Sequence, residues 1–204
     1  ALGVIRLLLE NRLSCGLTTV FAQGYDGADA DDLLGFFHDR LKVYLRDQGI
    51  RHDVIDACTA MAGNDDLTLL STRAAAVSDF IKTNDGENLL QAFKRANNIL
   101  DQAEAKDGVE YCYAADVKYA EAEVERALFA ALDAKAGTIE AAVLAEDFVA
   151  ALSGMAGLRT PLDVFFEAVQ INDNNAVIRR NRLNLLSRIR AICLSVADFT
   201  KVEG

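Results

Sequence analysis

Five arginines, Arg179, Arg180, Arg182, Arg188 and Arg190, crowd twelve consecutive positions of a chain with 21 Lys+Arg, 31 Asp+Glu and a formal net charge of −10. Guanidinium groups at this density suit three kinds of chemistry. They can contact nucleic-acid phosphates, dock an acidic partner, or pair with carboxylates inside the fold. Net charge does not choose among the three. An acidic balance argues against nucleic acid, but a basic face on an acidic body still attracts phosphate through its local field.

Helical periodicity separates the five. At 100° per residue, Ile178, Leu185, Ile189, Ile192 and Val196 form one apolar stripe, with Leu186 and Cys193 beside it. Arg180 points to the opposite side, Arg188 lies on one flank, and Arg179 and Arg190 lie on the other. Arg182 falls on the stripe itself. An inward guanidinium needs a carboxylate, because an unpaired buried charge costs several kcal/mol. Asp163 and Glu167 on the preceding helix are the nearest candidates, so Arg182 is expected to make a structural ion pair. That leaves Arg179, Arg180, Arg188 and Arg190 as candidate phosphate contacts, against a plainer reading as a solvated face.

A second candidate lies in "LLQAFKRANNIL", 89–100. Asn97 falls among Leu89, Leu90, Phe93, Ala96 and Leu100, where a buried amide would have to tie the helix to a neighbouring backbone. The competing reading of Asn97 is a boundary residue. Lys94 and Arg95 lie outside that face and extend the candidate basic surface. The His-Asp pairs at 38–39 and 52–53 lack the further ligands a metal site requires, and Asp53 reads as the N-cap of a short helix. Cys15, Cys58, Cys112 and Cys193 form no CxxC pair and are expected to be reduced, which suits a cytosolic protein. No Gly-rich phosphate loop or Gly-x-Ser-x-Gly elbow is present, and no cysteine has an activating His nearby in sequence. The residues alone therefore describe a helical binding or scaffolding module without a catalytic centre.

These residues need helices to position them, and the sequence supplies little else. Of 204 residues, 51% are hydrophobic and one is proline, and the apolar period is 3.6 nearly throughout. The predicted fold class is all-α. Helices are expected from the N-terminus to about Leu13, from Asp29 to Gln48, within 51–61, from Asn64 or Asp65 to Lys82, and from Glu87 to Lys106. A long acidic helix should then run from Ala115 and end at Gly137. Two more flank "SGMAGLRTP", and the arginine helix runs from Asn174 to Val196. The stretch "SCGLTTVFAQGYDGADA", 14–30, reads as a linker, and "NDG" at 84–86 as a turn. No apolar run approaches the ~20 residues of a membrane span. The chain opens without Met inside an amphipathic pattern, as a fragment of a longer protein would.

Four segments, in order, resemble one known family. "DNNAVIRRNRLNLLSRIRAICLSVADFTKVEG" resembles the last helix of the DALR-type anticodon-binding domain, with its Arg-x-Asn-Arg-Leu-x-Leu-Leu pattern. "FKRANNIL" at 93–100 is similar to the segment that opens that domain, and "RTPLDVFFEAVQIND" at 159–173 to the approach to its last helix. "FFHDRLKVYLRDQGIRHDVIDA" at 36–57 is similar to a helix preceding the domain in the β subunit of bacterial tetrameric glycyl-tRNA synthetases. The opening "ALGVIRLLLENRL" looks like the tail of an HD-like helical domain. The resemblance implies three regions: 1–28 as that tail with a linker, 29–84 as a helical pre-domain, and 85–204 as a DALR-type helical bundle. It also implies a cytoplasmic ligase that attaches glycine to its tRNA as an α2β2 tetramer. ATP and Mg would lie on the α subunit, and this segment would hold no cofactor. Its partners would be tRNA(Gly) and the α subunit, with no membrane, and its role would be tRNA binding at the anticodon side. Arg179, Arg180, Arg188, Arg190, Lys94 and Arg95 would then be the tRNA-binding candidates, and Arg182 and Asn97 structural. The aromatic candidates for stacking on bases are Tyr111, Tyr113, Phe165 and Phe166, both Phe being expected in the core. The rival class is a subunit-joining scaffold without tRNA contact.

Overall fold

The computed structural model describes residues 1–24 and 27–203, and the side chains of those except Gly27 and Ala28. Among the described residues there are helices and turns but no strand. They divide into two compact units, 1–79 with 201–203, and 80–200.

The first unit holds α1 (Leu2–Glu10), α2 (Leu17–Phe21), α3 (Gly27–Asp47), α4 (His52–Thr59) and α5 (Leu67–Phe80), the last ending at the unit's edge. Apolar residues at helical spacing, among them Ile5, Leu41, Leu45, Val54, Leu67 and Val77, have almost no exposure and build its core. Helix α2 falls inside the stretch read as a linker, whose Tyr25 and Asp26 lie outside the described residues. Polar residues there are not loop solvent contacts. Ser14 donates to Asp66, Thr18 donates to Asp65, and the Leu17 amide donates to the Asp65 carbonyl at 3.1 Å. Asp53 is not an N-cap either. It sits one residue inside α4, 3% exposed, with Arg51 on its carboxylate and the Glu203 amide donating to it at 2.7 Å. Burial pushes this carboxyl up, but those donors outweigh it and hold it below the usual aspartate range.

The second unit is a five-helix bundle of α6 (Asn84–Asp107), α7 (Glu123–Leu144), α8 (Phe148–Ala156), α9 (Arg159–Ala168) and α10 (Ala176–Leu194). Helices α6 and α10 pack together, and α7 packs on α8, α9 and α10. Phe93, Leu100, Leu128, Leu132, Phe165, Leu183 and Leu186 fill the centre. The "NDG" stretch is the first turn of α6 rather than a turn between helices. Thr83 caps it, its Oγ1 accepting from the Gly86 amide at 3.0 Å, and Asp85 and Glu87 favour a helix N-terminus. The helix ends at Gly108, whose φ of 68° is the left-handed closing conformation.

Helix α7 departs furthest from expectation. It begins eight residues after Ala115 and passes through Gly137 to Leu144. The cost of an interior glycine, about 1 kcal/mol, is overridden by packing, since Ile139 is buried and α8 lies against this end. Before α7, residues 109–122 form an irregular segment with a single 3₁₀ turn at Val117–Tyr119. That segment lies over the first turns of α10.

Gly86 sits where α6 meets the end of the preceding chain, and a Cβ there would run into the Phe80 carbonyl. Gly86→Ala is therefore expected to destabilise the protein by at least about 1–3 kcal/mol, read as a lowered melting temperature; an unchanged one would show that the two segments separate freely.

Candidate functional site

Helix α10 decides where the arginines go. Its N-cap is Asn175, whose side chain accepts from the Val177 amide at 2.9 Å. Ile178, Leu185 and Ile189 are buried along the stripe read from the sequence. Arg182 is on that side and is 6% exposed. Its partners are not Asp163 or Glu167. Glu125 of α7 accepts from its Nη2 at 2.6 Å and its Nε at 3.0 Å, and Asp173 accepts from its Nη1 at 2.7 Å. Glu121 adds a contact at 3.3 Å and the Gln170 carbonyl another at 3.0 Å. Burial would lower the arginine's pKa, but hydrogen bonds and charge from Glu125 and Asp173 raise it above the ordinary value. A guanidinium has five N–H donors, and this geometry gives its ends to carboxylates brought from three segments.

Three of the four outer arginines are also engaged. Arg179 reaches Asp107 at 2.7 Å, the Tyr111 hydroxyl at 3.2 Å and Asn172 at 3.2 Å. Arg190 binds Glu104 at 2.8 Å and Asp101 at 3.3 Å, both on α6. Arg188 pairs with Asp133 of α7 at 2.6 Å. The carboxylates respond. Hydrogen bonds from Tyr111 and Arg179 hold Asp107 below its usual range. Burial pushes Glu104 up, but Arg190 and the Tyr111 amide outweigh it and leave it lowered. Burial, with donation to Asp107, pushes the Tyr111 hydroxyl up.

Arg180 differs. It is exposed, makes no ion pair among the described residues, and lies over the Tyr113 ring with its Cζ 5.4 Å from the centroid. Lys94 is half-buried and has no ion-pair partner among the described residues. Arg95 stacks on the Phe166 ring at 4.6 Å and donates to the Phe166 carbonyl at 3.2 Å. Asn97 is half-buried and donates to Asp101 one turn along α6 at 2.8 Å, rather than to a neighbouring helix. Phe165 and Phe166 are buried at 0% and 6% exposure, whereas Tyr113 is 65% exposed. Arg180, Lys94 and Arg95 thus do not form one continuous basic face with the other arginines, whose charges are spent on carboxylates.

Two asparagines that the sequence reading passed over complete the picture. Asn181 is 6% exposed and clamps the 109–122 segment: its Oδ1 accepts from the Asp116 amide at 2.8 Å, and its Nδ2 donates to the Asp116 carbonyl at 3.1 Å. Asn184, one turn beyond Arg180, is 5% exposed, and its Oδ1 is buried without a hydrogen-bond partner. Such an orphan costs about 1–3 kcal/mol. The only signal in the sequence was two more amides in "RRNRLN", of which helical periodicity places Asn181 at the edge of the stripe beside Ile192 and Asn184 off it. Among the described residues, no three His, Cys, Asp or Glu side chains gather as a metal site would need. Burial pushes the Cys58 and Cys193 thiols up to about 12. Cys15 is half-buried and Cys112 is exposed.

A bundle whose last helix carries this arginine pattern against a preceding irregular segment fits the DALR anticodon binding domain, a family whose profile matches residues 89–197. A profile described as glycyl-tRNA synthetase beta subunit matches residues 1–60. The chain belongs to the glycyl-tRNA synthetase β-subunit family and carries a DALR anticodon binding domain. It is 66% identical over its whole length to the glycine–tRNA ligase β subunit of Ruegeria sp. (strain TM1040), covering 30% of that protein. It is 62% identical to that of Paracoccus denitrificans (strain Pd 1222) and 47% identical to that of Rhodospirillum centenum (strain ATCC 51521 / SW), again across the whole chain and 30% of each relative. The chain thus spans less than a third of the length of these relatives. No described helix is long and apolar enough to cross a membrane.

Arg182→Ala leaves Glu125 buried and unpaired and is expected to cost about 3–5 kcal/mol. The double change Arg182→Met with Glu125→Leu removes both charges and should recover much of that loss. Melting temperatures of the single and double variants check this; a double variant as unstable as the single one would contradict it.

A second expectation concerns pH. Glu104 and Asp107 titrate lower in the folded chain than when unfolded. Their pairs therefore contribute fully above the unfolded values near pH 4 and lose that contribution as pH falls through the folded values. Arg190→Met should lower stability by roughly 1 kcal/mol at pH 7, and its gap from the parent should narrow as pH falls below the unfolded values. A melting-temperature difference that stays constant between pH 7 and 3 would refute this.

Proposed function

We propose that this chain is the tRNA-binding, anticodon-side portion of a glycine–tRNA ligase β subunit, and that it is not itself catalytic. It supports the ATP-dependent attachment of glycine to tRNA(Gly) by a cytoplasmic α2β2 enzyme. The α subunit is its protein partner and carries ATP and Mg. The observation that carries the reading is Arg180. It is exposed beside an exposed Tyr113, and sits on the helix that the DALR family match includes. A cation and an aromatic face together suit a single-stranded loop, with the guanidinium on a phosphate and the ring under a base.

In this reading Arg180 is the principal phosphate contact of the arginine helix. Lys94 and Arg95 extend the surface, while Arg179, Arg188 and Arg190 act through the fold. Their carboxylate partners are already within 2.8 Å, so a phosphate would have to displace them. The same pairing weighs against the rival reading, in which these arginines dock an acidic protein.

Fluorescence anisotropy with labelled glycine tRNA at several salt concentrations tests the assignment. Arg180→Ala should weaken binding and reduce the log–log salt slope by about 0.7–0.9, whereas Arg188→Ala should leave the slope unchanged. An unaltered slope for Arg180→Ala would remove it as a phosphate contact, and no binding by the parent chain would favour the scaffold.

A further inference from the structure

The orphan amide of Asn184 does not lie in closed core. It is among the least exposed of the residues lining an open pocket of about 550 Å³ between the first turns of α10 and the 113–119 segment. That volume lies within the range of small-molecule sites. Ala176, Val177, Arg180, Asn181 and Asn184 line one wall, at spacings that put them on one helix face. Tyr113, Ala114, Asp116 and Tyr119 line the other.

The lining has a division of labour. Asn181 is engaged through both its oxygen and its nitrogen by the Asp116 backbone, and the Asp116 carboxylate is held by Lys118 at 2.8 Å. The acid in the wall is thus neutralised by a neighbouring cation. Two tyrosines, 65% and 38% exposed, stand at the rim. Arg180 lies over the Tyr113 ring and the Lys118 Nζ is 4.8 Å from the Tyr119 centroid, which leaves one face of each ring for stacking. Arg180 supplies the one unpaired cation, and Asn184 the one unsatisfied amide. Native folds seldom leave a nine-tenths-buried amide without a partner from the protein, water or a ligand.

From these residues, and resting on the reading of this unit as a tRNA-binding domain, we infer that the pocket receives one unpaired RNA base and that Asn184 reads its edge. A primary amide presents a donor and an acceptor side by side, matching the hydrogen-bonding edge of a base splayed out of its stack. Rotation about the terminal side-chain bond exchanges its oxygen and nitrogen, so Asn184 can present either group. Tyr113 or Tyr119 stacks on the base face, and Arg180 takes the adjoining phosphate. Selectivity at this position thus comes from Asn184, and non-specific affinity from Arg180.

The test compares the parent chain with Asn184→Leu and Asn184→Asp. Binding is measured by anisotropy to glycine tRNA and to a panel in which each anticodon-loop base is substituted singly. Leucine has nearly the same shape and no polar atoms, so a residue that only fills space would tolerate it. The parent should lose about 10-fold in affinity at one loop position, and Asn184→Leu should erase that difference with an unchanged or raised melting temperature. Asn184→Asp, which trades the donor for an acceptor, should change which base is preferred at that same position. If the parent does not bind tRNA, the anticodon-side reading falls and this inference with it. If the parent discriminates and both variants keep the same base profile, only the base-reading role falls. A markedly lowered melting temperature for Asn184→Leu would make the amide structural and would also overturn it.

Discussion

The second unit depends on one buried charge. Arg182 sits where helical periodicity demands an apolar residue, and it can stay there only because Glu125, Asp173 and Glu121 converge on its guanidinium. Those carboxylates come from α7, from the turn before α10 and from the irregular segment before α7. A single ion cluster therefore fixes three segments that apolar packing alone would leave free to slide. Its neighbours extend the same logic outward. Asn181 fixes the Asp116 backbone, Arg179 fixes Asp107 and Tyr111, and Arg190 fixes α6.

This arrangement resolves the charge problem of the chain. An excess of acid repels itself, and the arginine helix is where much of that acid in the second unit is collected and neutralised. The consequence is a functional surface much narrower than the sequence suggests. Instead of a broad basic face, the arginine helix offers one guanidinium without an ion pair among the described residues, beside two exposed tyrosines and an unsatisfied amide around one pocket. On the proposed reading, such a surface favours contacts with particular bases over general attraction to phosphate. The remaining affinity would be supplied by other parts of the enzyme.

The first unit uses the same device on a smaller scale. Asp53 is buried on α4, and Arg51 and the Glu203 amide satisfy it. In both units a polar group at a core position holds a segment distant in sequence.

The sequence by itself determined the all-α class, most of the helices and the inward position of Arg182, because all three follow from local periodicity and caps. The resemblance of four ordered motifs carried the family. Local signals failed where packing overruled them, at Gly137, where α7 runs on, and at "NDG", where Thr83 turned a turn signal into a helix start. The partners of Arg182 were misread because the expectation looked only to the preceding helix, with Asp163 and Glu167, whereas Asp173 sits in the turn before α10 and Glu125 lies 57 positions away. Asn184 was hidden for the same reason. Helical periodicity sees only one helix, and Asn184 is buried by the 109–122 segment lying across it. Which arginines are spent on carboxylates and which one is left, and whether an amide is exposed, satisfied or orphaned, depend on chain segments far apart in sequence. Only the tertiary structure could decide them.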